Sequence, residues 1–304
     1  DYVVQPVADV SPPKWHLGHS TWFFETFLLI PFAENYRLFH PDFSYVFNSY
    51  YETVGKRVLR TDRGNLTRPT VAEVYEYRNY VDEQLSQLLD DLYNQDFPRR
   101  AEFETLLTLG LNHEEQHQEL LVTDLKYILG HNPLFPSVAV LPEETFVYNA
   151  DAIALQSVAV AEGVYEIGHS GGGFCFDNEL GRHRTYLQPV RLLPRLVTNG
   201  EYMEFMEAAG YENFNHWMAE GWDWVKQGQI KAPLYWHRVE NRWWHYTFEG
   251  LQPVQPDEPL AHVSFYEADA FARWKGMRLP TEFEWEVAAQ RFPWGQRWEW
   301  TNSA

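Results

Sequence analysis

One cysteine, Cys175, stands in 304 residues. A single thiol excludes an internal disulfide framework and suits a reducing cytoplasm. Basic charge is scarce: 24 Lys and Arg face 43 Asp and Glu, for a formal net charge of −19. That balance argues against nucleic acid and against an anionic membrane surface as partners. No apolar run approaches the roughly 20 residues a membrane helix needs, and no basic-then-apolar leader opens the chain. The opening "DYVVQPVADV" reads instead like the interior of a longer chain. Repeats and low-complexity tracts are missing as well. What is present is length enough for two ordinary domains, with 45% hydrophobic and 17% aromatic residues to build their cores.

The two halves differ in pattern. Residues 12 to about 130 predict four helical segments, the number an antiparallel bundle needs. "PPKWHLGHSTWFFETFLLI" opens on Pro12 and Pro13, and "DFSYVFNSYYETVG" has Gly55 as a plausible stop. Thr70 and Glu73 form a capping-box pattern ahead of a segment whose apolar positions recur every three or four residues. Pro98 can open the fourth segment and Gly130 can close it. The expected division is a helical bundle over 1–135, a Pro-punctuated linker over 136–157, and a second domain over 158–304. That last part holds eleven of the thirteen tryptophans beyond residue 210 and short strand-like runs such as "GVYEIGH", "NRWWHYTF" and "HVSFYE". Two short helices are expected in it, near "TNGEYMEFMEAAG" and "FYEADAFARWKG", giving an irregular α+β domain with long loops.

The stretch "LNHEEQHQELLVTDLKY" contains H-E-x-x-H. His113 and His117, four apart on a helix, share a face and can reach one ion, although a merely solvated polar face has the same composition. A zinc protease would use Glu114 to activate water and would need a third ligand downstream. The extended motif fails, because Leu120 and Thr123 stand where its Gly and His belong, and the distal candidates Glu143 and Glu144 fall in the linker. A third donor is available upstream, from His16 or His19 in "KWHLGHSTWFF", with an aromatic-lined core helix as the plainer alternative. Three neutral imidazoles would leave the opposite side of a divalent ion open. Zinc with a bound water is one outcome and ferrous iron, with room for substrate atoms and dioxygen, is another.

At this point the chain resembles the ergothioneine-biosynthesis sulfoxide synthases, the hercynine oxygenases. The resemblance is carried by "SPPKWHLGHSTWFFETF", "FNSYYE", "GNLTRPT" and "HEEQHQELLVTDLKY", then by "FCFDNELGRHR", "VTNGEYMEFMEAAGY", "HVSFYEADAFARWKGMRLPTEFEWEVAA" and "WEWTNSA". It implies a DinB-like four-helix bundle followed by a formylglycine-generating-enzyme or C-type-lectin-like domain. It implies a non-haem Fe(II) site held by His19, His113 and His117, with His16 outside it. Such enzymes use dioxygen to join a thiol sulfur to C2 of the hercynine imidazole and oxidise that sulfur in the same turnover. "FNSYYETVGKR" looks most like the branch that takes free cysteine rather than γ-glutamylcysteine.

The same resemblance gives Tyr50 and Tyr51 the role of proton donor, with at least one of the two acting; neighbours on a helix point about 100° apart, so at most one would face the iron fully and the other would be core. Gln116 is expected to contact the imidazole substrate. Of Arg57, Arg60 and Arg63, the last two are favoured for the carboxylate of the thiol substrate, a fit for bidentate guanidinium bonding. C-terminal tryptophans could offer a wall to a quaternary ammonium. The family pattern continues past "WEWTNSA" with a Gly-Gly-Ser segment and an Arg-Asn-aromatic stretch, so the second domain is expected to be incomplete. Alternatives are an ovothiol-type synthase acting on histidine, a DinB-like thiol transferase, a formylglycine-type oxidase and a non-catalytic lectin-like module. The oxidase would need a cysteine pair for copper, and Cys175 is alone.

Overall fold

The computed structural model describes residues 2–51, 53–93, 97–138 and 157–303. The chain divides into two compact units, Asp1–Pro136 and Ser137–Ala304. The connector, with Glu143 and Glu144, lies almost wholly outside the described residues.

The first unit is helical. α1 (Pro13–Phe24) starts on its expected proline, whose missing N–H costs nothing at a helix start. It runs through a π-helical turn, Glu25–Leu29, into the short α2 (Ile30–Phe32). The wider turn points Glu25 inward, where its carboxylate accepts from Tyr36 Oη at 2.7 Å, Tyr77 Oη at 2.5 Å and Phe39 N at 3.1 Å. α4 (Val71–Tyr93) begins behind the expected box: Glu73 N donates to Thr70 Oγ1 at 3.2 Å, and Thr70 N donates to Glu73 Oε2 at 2.6 Å. α5 (Arg100–Gly130) is the longest helix described. α1 packs against α4 and α5 around Trp22, Phe23, Leu28, Phe47, Tyr77 and Val81, all nearly or fully buried.

One segment departs from expectation. The helix predicted through Gly55 stops after α3 (Phe43–Phe47). Asn48 turns extended, and its Nδ2 donates to the carbonyls of Tyr51 at 3.3 Å and Gly55 at 3.1 Å. A short amide side chain that satisfies local carbonyls offers the backbone an alternative to the helix, and here it wins. Tyr50 and Tyr51 therefore sit in a loop, not on a helix.

The second unit is α+β. β1 (Val158–Val160) pairs with β4 (Val190–Leu192), and β2 (Gly163–Ile167) with β3 (His183–Leu187), all antiparallel. β5 (Trp236–Val239), β6 (Arg242–Thr247) and β7 (Gly250–Pro253) form a meander whose first turn uses Glu240 and Asn241 at positive φ. The expected helices are present as α6 (Asn199–Glu207) and α8 (Phe265–Trp274), each behind a capping box, Thr198/Glu201 and Ser264/Glu267. Two more were not foreseen: α7 (Ala219–Gly228) and α9 (Glu282–Ala289). α9 packs on the two small sheets, burying Val287 and Ala288 with Val160, Ile167 and Leu187. "HVSFYE" is not a strand, because Ser264 caps α8 inside it. Among the described residues no helix is long and apolar enough to cross a membrane.

Candidate metal centre

The periodicity of α5 builds half of the site. At about 100° per residue, His113, His117 and Asp124 fall within roughly 40° of one another around the helix axis. α1 supplies the other half, since His16 and His19, three apart, also share a face. The structure brings His19, His113 and His117 together, with one ligand atom from each lying within 4.8 Å of the others. Among the described residues no carboxylate joins this trio. Ring centroids are 5.0 Å apart for His19–His113 and 4.6 Å for each of the other two pairs.

Each ring is held from behind. His19 Nδ1 donates to the carbonyl of Phe47 at 2.6 Å, which leaves its Nε2 lone pair bare. The ring lies between the indoles of Trp15, stacked at 4.5 Å, and Trp22, at 5.4 Å. His113 stacks on Phe23 at 4.6 Å, and its buried Nδ1 has no hydrogen-bond partner among the described residues. His117 Nδ1 lies 3.0 Å from Nδ1 of His16.

Electrostatics keep the trio neutral. Burial pushes His113 down to about 4. Burial, then the neighbouring His113, His16 and Arg63, pushes His117 down to about 3. Burial lowers His19 too, helped by His117 and His113. Three uncharged imidazoles crowded together, with an orphaned ring nitrogen among them, are a donor set that fits a divalent cation.

The Glu of H-E-x-x-H is engaged elsewhere. Both Glu114 oxygens accept from Arg78 Nη1 of α4 at 3.0 Å, so the carboxylate is not available as a base toward the trio.

The predicted arginines form a cationic shelf behind Trp15. Arg63, only 4% exposed, lies 3.4 Å over the Trp15 ring, on which His19 also stacks. Its terminal nitrogens donate to Ser11 Oγ at 2.8 Å and Ser49 Oγ at 3.2 Å, and its buried Nε has no partner among the described residues. No carboxylate pairs with it among the described residues. Burial, then Arg60 and Arg57, holds it down at about 10. Arg60 Nη1 donates to Tyr50 Oη at 3.2 Å, and Nη2 to the Asp9 carbonyl.

Tyr50 is 65% exposed, and the hydrogen bond from Arg60 lowers its pKa. Tyr51 is half-buried against Phe27, Trp22 and Phe23, the last two of which back His19 and His113, and burial raises its pKa. No hydrogen bond joins either phenol to the trio among the described residues. Gln116 is exposed on α5. Sequence reasoning missed Asp124, although its seven-residue spacing from His117 was a readable signal.

A helical unit with a buried histidine trio, followed by an α+β unit of small sheets and capped helices, defines the class. The description "Sulfatase-modifying factor enzyme 1-like domain" matches residues 144–304, and "DinB superfamily" matches residues 1–121. The first spans more than half of the chain, which belongs to that family. The chain is 33% identical over 203 residues to a hercynine oxygenase of Mycolicibacterium smegmatis, covering 62% of this chain and 44% of that protein. A hercynine oxygenase of Mycobacterium tuberculosis is 33% identical over 202 residues, covering 62% and 45%. A formylglycine-generating enzyme of Streptomyces coelicolor is 32% identical over 141 residues, covering 43% and 45%. The chain spans less than half the length of these relatives.

Proposed function

We propose that this protein is an Fe(II)- and dioxygen-dependent sulfoxide synthase of ergothioneine biosynthesis, working in the cytoplasm. It would join the sulfur of cysteine to C2 of hercynine. The balance is one thiol, one imidazole C2–H and one dioxygen giving a sulfoxide and one water. One oxygen atom goes to sulfur, and the other leaves with the two displaced hydrogens. The observation that carries the reading is the carboxylate-free trio of neutral imidazoles, in a chain similar to hercynine oxygenases.

Bound by the trio, ferrous iron would supply dioxygen activation and an affinity for thiolate. His19 and His117 present Nε2, since Nδ1 of each is already engaged. Among the described residues Arg63 has no carboxylate partner and its Nε is unsatisfied, so it suits the carboxylate of the thiol substrate, with Arg60 beside it. Tyr51, walled by the aromatics that back two of the histidines, suits the delivery of a phenolic proton, and Tyr50 stands by at the arginine shelf. Gln116 supplies an amide that can bond an imidazole nitrogen. Relatives named hercynine oxygenase favour hercynine over histidine as the acceptor.

The test is oxygen uptake by anaerobically prepared Fe(II)-loaded protein, with mass spectrometry of the products. Uptake is expected only when hercynine and cysteine are both present, with a sulfoxide-linked product. Product formation with Zn2+ alone, or equal turnover of histidine, would sink the reading.

A further inference from the structure

Behind the trio runs a second line of polar groups. Asp124 Oδ2 accepts from Ser11 N at 2.8 Å and from His16 Nε2 at 2.9 Å. His16 Nδ1 then meets His117 Nδ1 at 3.0 Å. The His16 side chain is 5% exposed and that of Asp124 13%, so water competes little for these bonds. Two nitrogens of the same type, one on each ring, can bond only if one of them carries the proton and the other a lone pair.

The carboxylate decides which. A carboxylate accepts, so His16 must hold its proton on Nε2. A neutral His16 then offers a lone pair at Nδ1, and His117 must donate from its own Nδ1. That leaves His117 Nε2 bare. Without Asp124, His16 can adopt the opposite tautomer, donate from Nδ1, and drive the His117 proton onto Nε2, where it blocks a metal bond. We infer that Asp124 and His16 are a positioning pair that sets the tautomer and orientation of His117 and thereby readies it as a ligand. This rests on the reading of the trio as a metal site. It assigns a task to His16, which otherwise reads as a bystander, and to Asp124, two helical turns away from His117. Ligand histidines are commonly oriented by a carboxylate or carbonyl directly, at a value of about 10–100-fold in metal affinity. Here a histidine is interposed.

Two readouts on the full chain test it. In metal-free protein labelled with 15N-histidine, long-range proton–nitrogen spectra at neutral pH should show His16 with its proton on Nε2 and His117 with its proton on Nδ1. In Asp124→Ala, His117 should become a mixture of tautomers, and Zn2+ affinity should fall about 10–100-fold while the amide spectrum keeps its dispersion. Asp124→Asn is the rescue. Both donors point at one oxygen, which an amide can supply, so its affinity should stay close to wild type. The proposal fails if His117 keeps its tautomer in Asp124→Ala, or if His16 carries both protons in wild type. If wild-type protein binds no Zn2+ or Co2+, the metal reading falls, while the tautomer spectra still report on the pair by themselves.

Discussion

Gly18→Ala is the substitution that ties helix packing to the site most directly. A Cβ on Gly18 would lie 2.1 Å from Phe47 Cε1 and 2.4 Å from both Cδ1 and Cζ. Contacts so short do not persist, so the ring must move. Phe47 is 1% exposed, with Phe43 edge-on to it at 5.3 Å and Tyr77 stacked at 6.2 Å. Helix propensity favours alanine over glycine by about 1 kcal/mol. Overpacking a filled core costs about 1–3 kcal/mol, and a clash with three ring atoms belongs at the upper end. The net expectation is a loss of about 1–2 kcal/mol, or roughly 4–8 °C in the melting temperature of a unit this size. There is a second consequence. The Phe47 carbonyl accepts the His19 Nδ1 proton at 2.6 Å, so displacing residue 47 loosens one histidine of the trio. The assay pairs thermal unfolding by circular dichroism with Zn2+ titration, both expected to weaken. Phe47→Leu in the same chain should recover part of each. A Gly18→Ala protein that melts higher than wild type and binds Zn2+ unchanged would refute the packing argument.

Glu114→Gln should cost no more than about 1 kcal/mol, the scale of a partly exposed ion pair with Arg78, and leave Zn2+ affinity intact. A loss of turnover in the 100- to 10,000-fold range expected of a general base would count against this placement. Metal-free protein should lose stability as pH falls from about 6.5 toward 4. His113 and His117 titrate near 4 and 3 when folded and near 6.5 when unfolded, so the unfolded chain takes up protons first. At pH 5 each contributes a loss of about 2 kcal/mol, readable by urea unfolding at pH 7.5 and 5; equal midpoints at both values would contradict it. Tyr211→Phe removes the 2.5 Å bond to the buried Glu267 carboxylate and should destabilise by about 1–3 kcal/mol in calorimetry. A neutral outcome would mean that Tyr202 or water takes over the vacated oxygen.

The long helices were legible because their signals were local and redundant. Thr70 with Glu73, Pro13 at a helix start, and apolar residues at helical spacing each marked α1, α4 or α5 separately. His113 and His117 stood out through their four-residue spacing, and resemblance picked His19 over His16. Other features depended on side chains that reach across space. The end of α3 is set by where the Asn48 amide turns, which no periodicity encodes. The place of Arg63 over the Trp15 ring, on which His19 also stacks, follows from the path of the loop between α3 and α4. The link from Asp124 through His16 joins two helices more than a hundred residues apart in the chain. α9 is a different matter, since "TEFE" carries the same capping pattern that located α6 and α8, and it could have been read.

Behind the trio two of the outer partners are peptide groups, the Phe47 carbonyl for His19 and the Ser11 amide for Asp124. Substitution cannot delete a carbonyl, and among the usual residues only proline removes an amide hydrogen. The side chains at 11 and 47 carry other contacts, Ser11 Oγ with Arg63 and the Phe47 ring with the core, but the bonds to their backbone survive a change of side chain. Residue identity at these two positions is therefore a poor measure of their part in the site, where local backbone path holds His19 and Asp124 in place.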